Sequence, residues 1–480
     1  MEDANYTCFE KGGENERIKI LLVYPKVGSE AKGMSLHLPL SVLHIASYLK
    51  DFSVAIFDQR VDPIENFYKL LEQKPLCVGI STMTGIQIKY ALEIAEKVKE
   101  KEIPTIFGGV HPTIFPEQTS EDRRVDYVVV GDGELSFKNL VETLAKGEKP
   151  EKIIQSKEIN LEDFPSLPYE LVNVENYVHT AIIEGRALPF LFSRGCPFAC
   201  TFCCNPIISK RRWRVMNIDN AIKQLNELLE KYNLDSIIFW DENLTVNPRI
   251  LNKLAEKINR RFKWRMQARM NSLLNYDLKF LEKMGVISFS IGLESGSDKI
   301  LKEIKKEETV EEYISTNRKL AETNILIWYN YMVGYPNETL EDLKATVNLA
   351  INMLDENPNA EHNTFGMLVP YPETEIASFY VKSNLLPKSL EGWSEFGHYN
   401  FSVGWHSPEM TKLYQKICFS SKFTGRKLVK HFPNDKELKE YADFLMDKWR
   451  KFDFYDDEEW KNIINKGWEI LRKLFGENAY

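Results

Sequence analysis

The segment PFLFSRGCPFACTFCCNP, residues 189–206, opens as an apolar strand and turns into a loop carrying Cys196, Cys200 and Cys203. Soft thiolates match iron, and the C-x3-C-x2-C spacing lets one loop wrap three irons of a four-iron, four-sulfur cube. The fourth iron stays open. On a cube held in this way an open iron can accept the amino and carboxylate groups of S-adenosylmethionine and pass one electron to its sulfonium. Homolysis would yield a 5'-deoxyadenosyl radical, strong enough to remove hydrogen from an unactivated carbon. The spacing leaves two other readings open: a structural zinc site, with Cys204 as an apparent fourth ligand, and buried free thiols. Adjacent Cys203 and Cys204 would strain a tetrahedral zinc site, and no second C-x2-C follows.

Downstream of the cysteine loop, strand-like runs at 236–240, 263–267, 286–292, 325–333 and 363–369 alternate with helical stretches at 217–232, 248–261, 276–284, 310–323 and 338–353. With 189–193 these are six β/α units, which predict a partial (β/α)6 barrel over 189–385. Polar residues at strand ends are candidate site residues: Asp241 to bond substrate or order Arg269, and Arg269 to position a carboxylate. From 386 to 480 the chain reads as mainly helical, with tryptophans whose spacing fits packing and mixed charges that fit a solvated helical face.

Upstream, short β-rich runs at 18–24, 53–58, 76–81, 104–108 and 126–130 have helical patterns between them, the rhythm of a doubly wound parallel sheet over 1–150. Residues 151–188, with Pro165 and Pro168 and fading periodicity, read as a linker. In a doubly wound sheet, ligands sit outside the carboxyl ends of the strands. That rule gathers Ser81, Thr82, Gly108, Gly109, Gly131, Gly133 and Glu134 along one crevice. A nicotinamide-type G-x-G-x-x-G after the first strand is absent.

The chain has 480 residues, 43% apolar and 28% charged, with 62 basic against 70 acidic side chains and a net charge of -8. That describes a multidomain globular chain with no electrostatic call for nucleic acid, and neither a membrane span nor a secretory leader is evident. A cytoplasmic location is expected. Seven cysteines, four of them within nine residues, favour local metal ligation over a disulfide framework.

Two sets of motifs carry a family resemblance. C-x3-C-x2-C with Phe202 before the last cysteine resembles the radical S-adenosylmethionine superfamily. FSIGLESGSDKILKEIKK (289–306) and YMVGYPNET (331–339) resemble its later strands. LPLSVLHIASYL (38–49), GISTMT (79–84), FGGVHPT (107–113) and DYVVVGDGE (126–134), in that order, resemble the cobalamin-binding domain attached to many such enzymes. The D-x-H-x-x-G motif that supplies a cobalt-ligating histidine in methionine synthase-like relatives is missing.

The resemblance implies an α/β protein: a cobalamin-binding-like doubly wound domain, a partial barrel and a helical C-terminal segment. It implies a [4Fe-4S] cluster on Cys196, Cys200 and Cys203; S-adenosylmethionine near Phe202, Glu294, Ser295 and Gly334; and cobalamin along the crevice of the first domain. Tyr371 follows as a pocket residue in the sixth unit. The expected activity is radical methyl transfer from methylcobalamin to an unactivated carbon. An oxidative cyclase or rearrangement enzyme is the alternative, and a cobalamin sensor or carrier the non-enzymatic one. Expected partners are a reducing electron donor such as flavodoxin or ferredoxin and a small-molecule or peptide substrate, with no stable nucleic-acid or membrane partner. No catalytic side chain is assigned.

Overall fold

A computed structural model describes residues 19–28, 36–180, 185–378, 386–396 and 404–476. Cys8 and the extreme N-terminus lie outside the described residues. The chain forms two compact units, one of residues 1–189, 214–236 and 385–400, the other of 190–213, 237–384 and 401–480.

The first unit is built on strands β1 (Ile20–Tyr24), β2 (Val54–Asp58), β3 (Cys77–Ser81), β4 (Thr105–Gly108), β5 (Tyr127–Val130) and β6 (Ile153–Gln155). They are parallel, in the order β2-β1-β3-β4-β5-β6. The strands are β-branched and apolar because helices cover both faces; Leu21, Val23, Ala55, Val78 and Val128 are fully buried. Strand order reverses between β1 and β3, so the crevice of a doubly wound sheet opens at the ends of these strands.

The stretch read as a linker begins with β6, three residues too short to stand out by periodicity. It then runs against the first unit: the Tyr177 hydroxyl donates to Asp58 Oδ2 at 2.8 Å, and Asn220 and Gln224 side-chain amides donate to the Phe164 carbonyl. Residues 386–396 belong to the same unit. Trp393, 1% exposed, packs on His111 and Phe115 and donates from Nε1 to Gln118 Oε1 at 2.6 Å.

The second unit contains most of the sheet formed by β7 (Ala187–Phe190), β8 (Ser236–Phe239), β9 (Lys263–Ala268), β10 (Val286–Glu294), β11 (Leu326–Val333) and β12 (Ala360–Met367), with the unit boundary passing through β7 and β8. Spatial order follows chain order, the pattern of consecutive β/α units closing toward a barrel. Helices α1 (Pro248–Ile258), α2 (Leu278–Lys283), α3 (Val310–Ala321) and α4 (Leu340–Glu356) alternate with the strands. Capping boxes start α3 at Thr309 with Glu312 and α4 at Thr339 with Asp342, each worth about 1 kcal/mol. Thr339 is therefore the N-cap of α4.

Helices α5 (Pro408–Thr424), α6 (Lys427–His431), α7 (Lys436–Arg450) and α8 (Asp457–Phe475) complete the unit. Their tryptophans are core: Trp449 and Trp460 are fully buried, and Trp449 Nε1 donates to Ser420 Oγ at 2.8 Å. No helix among the described residues is long and apolar enough to cross a membrane.

Candidate active site

The loop after β7 presents Cys196, Cys200 and Cys203, all partly buried and none in a disulfide. Gly195 lets the loop turn. Its φ is +88°, and a Cβ there would collide with the Arg212 carbonyl oxygen and lie 2.7 Å from Ser209 Cβ. The Gly195 amide donates to Glu242 Oε2 at 3.0 Å. Backbone amides of Phe198 and Asn205 donate to the sulfurs of Cys196 and Cys203, the latter at 3.4 Å. Such bonds favour thiolate over thiol.

Burial nevertheless raises the Cys196 and Cys200 thiols above the ordinary range. The hydrogen bond with Cys204, followed by burial, does the same for Cys203. Cys204 is the partner of Cys203, and its charge also reaches the half-buried Tyr371 phenol, so the structure places Tyr371 beside the cysteine loop. Phe202 is half-buried in the same loop. Among the described residues no three His, Cys, Asp or Glu side chains converge on a point as ligands of a single metal ion. Three sulfurs with two amide donors are the donor set a cluster asks for.

Two buried cations face this loop. The Arg269 guanidinium stacks 3.6 Å from the Phe198 ring centroid, with Nη1 3.9 Å from Cys200 Sγ and Nη2 donating to the Lys306 carbonyl. Lys306 Nζ donates to Glu294 Oε1 at 3.1 Å and lies 3.7 Å from Glu308, which is itself 3.9 Å from Arg269. Both cations favour the Cys200 thiolate. Arg269, expected to meet substrate or Asp241, is instead held by the cysteine loop and the 306–308 backbone.

Lys306 closes the 289–306 stretch and Glu308 follows it, neither with a role legible in the sequence. They sit in the charged connection between the helix Asp298–Glu303 and α3, where a Lys or Glu looks solvent-facing, and the fold buries these two, at 6% and 5% exposure.

Glu294 occupies a bulge at the end of β10, where the pairing with β11 shifts between Gly292 and Glu294. Its φ of +65° is left-handed. A bulge of this kind re-aims a side chain, and a non-glycine residue held left-handed at such a place points to function. Gly292 completes the arrangement, since a Cβ there would overlap the Glu294 carboxylate.

Other expected residues take structural places. Asp241 is completely buried and accepts from the Ser193 amide and hydroxyl and, at 3.3 Å, from the Phe192 amide. It ties the start of the cysteine loop to the end of β8, and burial lifts its carboxyl to about 7. The Ser295 hydroxyl is fully buried between Thr346 Oγ1 at 3.2 Å and the Ser297 amide, so it shapes the turn after β10. Gly334, φ +91°, donates to Glu338 Oε2 at 2.6 Å and accepts from Trp405 Nε1 at 3.0 Å.

In the first unit, the expected crevice residues gather at the ends of β3, β4 and β5. Ser81 and Gly108 are register partners, and Thr82 N donates to the Gly108 carbonyl at 2.8 Å. Gly109, φ +104°, is required by close backbone approach: a Cβ would stand 2.8 Å from the Thr82 carbonyl oxygen. Gly131 is exposed and donates to Thr113 Oγ1 at 3.0 Å, Gly133 packs on Ile45, and Glu134 is buried at the start of the following helix. The Thr82 hydroxyl and His111 Nε2 are buried without a hydrogen-bond partner among the described residues. Burial pushes the His111 imidazole down to about 4, so it is neutral. A crevice edged by glycines with an unused hydroxyl inside fits a bulky amide-rimmed ligand.

Residues 190–350 match the Radical SAM superfamily and residues 31–141 match the B12 binding domain, together more than half of the chain. Among relatives, an uncharacterised methyltransferase of Pyrococcus horikoshii is 27% identical, over 77% of this chain and 84% of its own. The anaerobic magnesium-protoporphyrin IX monomethyl ester cyclase of Rubrivivax gelatinosus is 25% identical, over 75% of this chain and 69% of its own. The solved structure of the cobalamin-dependent S-adenosylmethionine radical enzyme OxsB, with aqua-cobalamin and S-adenosylmethionine bound, superposes with a TM-score of 0.69 at 17% identity, covering 96% of this chain and 80% of that one. With its cysteine loop in one domain match and its glycine-edged crevice in the other, the chain belongs to the radical S-adenosylmethionine enzymes that carry a cobalamin-binding domain.

Proposed function

We propose that this enzyme is a cobalamin-dependent radical methyltransferase acting on an unactivated carbon of a small-molecule or peptide substrate. The observation that carries the reading is one chain bearing both a three-thiol loop flanked by Arg269 and Lys306 and a separate crevice of corrin-binding type. When bound, the cluster with S-adenosylmethionine supplies one-electron bond cleavage and cobalamin supplies the transferable methyl group.

The protein's part is placement and charge. Cys196, Cys200 and Cys203 hold the cluster as thiolates, and the two buried cations offset the charge those thiolates bring. Glu294, turned inward by its bulge, accepts from an ammonium group, a place filled by Lys306 in this structure. Asp241 anchors the loop through Ser193, and Phe202 and Tyr371 supply aromatic surface beside it. In the other unit, Thr82, Gly108, Gly109 and Gly131 give the corrin a smooth edge with one free hydroxyl. An electron donor of flavodoxin or ferredoxin type delivers the reducing equivalents.

Oxidative ring closure is the second reading, favoured by likeness to the ester cyclase. Anaerobic reconstitution with iron, sulfide and cobalamin, followed by assay for 5'-deoxyadenosine and S-adenosylhomocysteine, tests the proposal. Methyl transfer produces both and a product heavier by one CH2, whereas cyclisation leaves S-adenosylhomocysteine at background. Cys196→Ala abolishes 5'-deoxyadenosine while corrin binding persists; equal cleavage by this variant overturns the cluster assignment.

A further inference from the structure

The strands of the barrel sheet alternate. Trp264, Met266, Phe289 and Ile291 are buried on the helix-covered face, so their neighbours Arg265, Gln267 and Ser290 point to the other, inner face. Across that inner face Trp328 is the cross-strand partner of both Ser290 and Glu361. Two cations lie over its indole: Arg265 Cζ at 3.9 Å from the ring centroid and Lys427 Nζ at 4.4 Å.

The anionic side of this cluster is already committed. Glu361 Oε2 accepts from Trp328 Nε1 at 3.1 Å, and its Oε1 pairs with Lys430 at 2.8 Å. Lys427 donates to the neutral Asn363 Oδ1 at 3.3 Å and feels the charge of Glu361 from farther off, with no ion pair among the described residues. Arg265 has no hydrogen bond or ion pair among the described residues. Both cations are half-buried. The indole quadrupole attracts a cation, but it does not replace the hydrogen bonds of a partly desolvated guanidinium, and a second cation beside the first adds repulsion. Burial lowers Arg265 to about 10, and burial followed by Arg265 lowers Lys427. A stack that served packing alone would need one of these cations.

We propose that Arg265 and Lys427 form an oxyanion subsite on the inner face of the barrel sheet, for a carboxylate or phosphate of the substrate. This inference rests on the methyltransferase reading only in taking its ligand to be the substrate. Arg265 lies within β9 and Arg269 one residue past its end, four residues on and about 13 Å away along extended backbone. The substrate is therefore an anionic molecule whose charged end lies roughly that distance below the cysteine loop, and Gln267, Asn330 and Asn363 line the way.

The test uses the full-length reconstituted chain and measures thermal stability in inorganic phosphate or acetate against chloride at matched ionic strength. Wild type is stabilised by both anions over chloride. Arg265→Gln and Lys427→Gln each weaken the apparent phosphate affinity at least tenfold, while Lys97→Gln, at an exposed surface pair, does not change it. Should Arg265→Gln fail to fold, Lys427→Gln decides. The same anion response in wild type and Lys427→Gln, or no response in wild type, overturns the proposal. Cys196→Ala retains the anion response, so loss of the methyltransferase reading leaves a result distinct from loss of this subsite.

Discussion

Gly195→Ala separates a steric role of the cysteine loop from a chemical one. The left-handed backbone at φ +88° costs an alanine about 1–2 kcal/mol. The added methyl also overlaps the Arg212 carbonyl oxygen and meets Ser209 Cβ at 2.7 Å, and overpacking against backbone adds about 1–3 kcal/mol. The sum is roughly 3 kcal/mol, more than a ~100-fold shift toward the open loop. Gly147→Ala is the control: its φ is +74° with nothing within 4 Å of the added methyl, so it pays the backbone cost alone. The assay is iron bound per chain after anaerobic reconstitution, together with the urea midpoint at which visible cluster absorbance is lost. Gly195→Ala loses most of its iron and shifts the midpoint well beyond the control. If the two variants retain equal iron and equal midpoints, the close approach of Gly195 to Arg212 does not hold the loop.

Three other outcomes follow from buried groups. Glu308→Ala leaves Lys306 and Arg269 buried without their shared carboxylate and destabilises by about 3–5 kcal/mol in urea unfolding; a change below about 1 kcal/mol would show the pair to be solvated. Glu338 is raised by burial from 4.5 to about 7. Its protonated form is therefore favoured in the folded state, and the stability it lends is complete below the unfolded value and lost as pH rises through 7. That loss, about 3 kcal/mol between pH 4 and 8, is absent in Glu338→Gln; identical pH profiles would rule it out. Trp393→Ala removes a buried indole and its bond to Gln118, costs about 3–5 kcal/mol and opens residues 386–396 to limited proteolysis while the rest of the chain stays intact. Unchanged resistance of that segment would mean that other contacts hold it.

Much of the architecture is legible in the chain because period and spacing are local properties. The apolar β-rich runs of 20–24 and 54–58 mark a sheet buried on both faces, and Cys196, Cys200 and Cys203 announce sulfur ligation by their spacing alone. Strand β6 escapes such reading because three residues carry no period, and its pairing with β5 defines it. Burial and charge partnership likewise escape it. Asp241 and Ser295 resemble site residues in sequence, yet one is consumed by Ser193 and the other by Thr346 and Ser297. Lys306 and Glu308 look like surface charge until β10 and the following helix turn them under Arg269.

Residue type and spacing by themselves determined that this protein has two α/β domains and a three-thiol loop, since neighbours along the chain set both. Only the tertiary structure decided which cations face those thiols, which carboxylate is turned inward by a bulge, and which guanidinium lies on an indole without an anion. Those are pairings between residues far apart in sequence, and electrostatic energy depends on the distance and burial that folding alone creates.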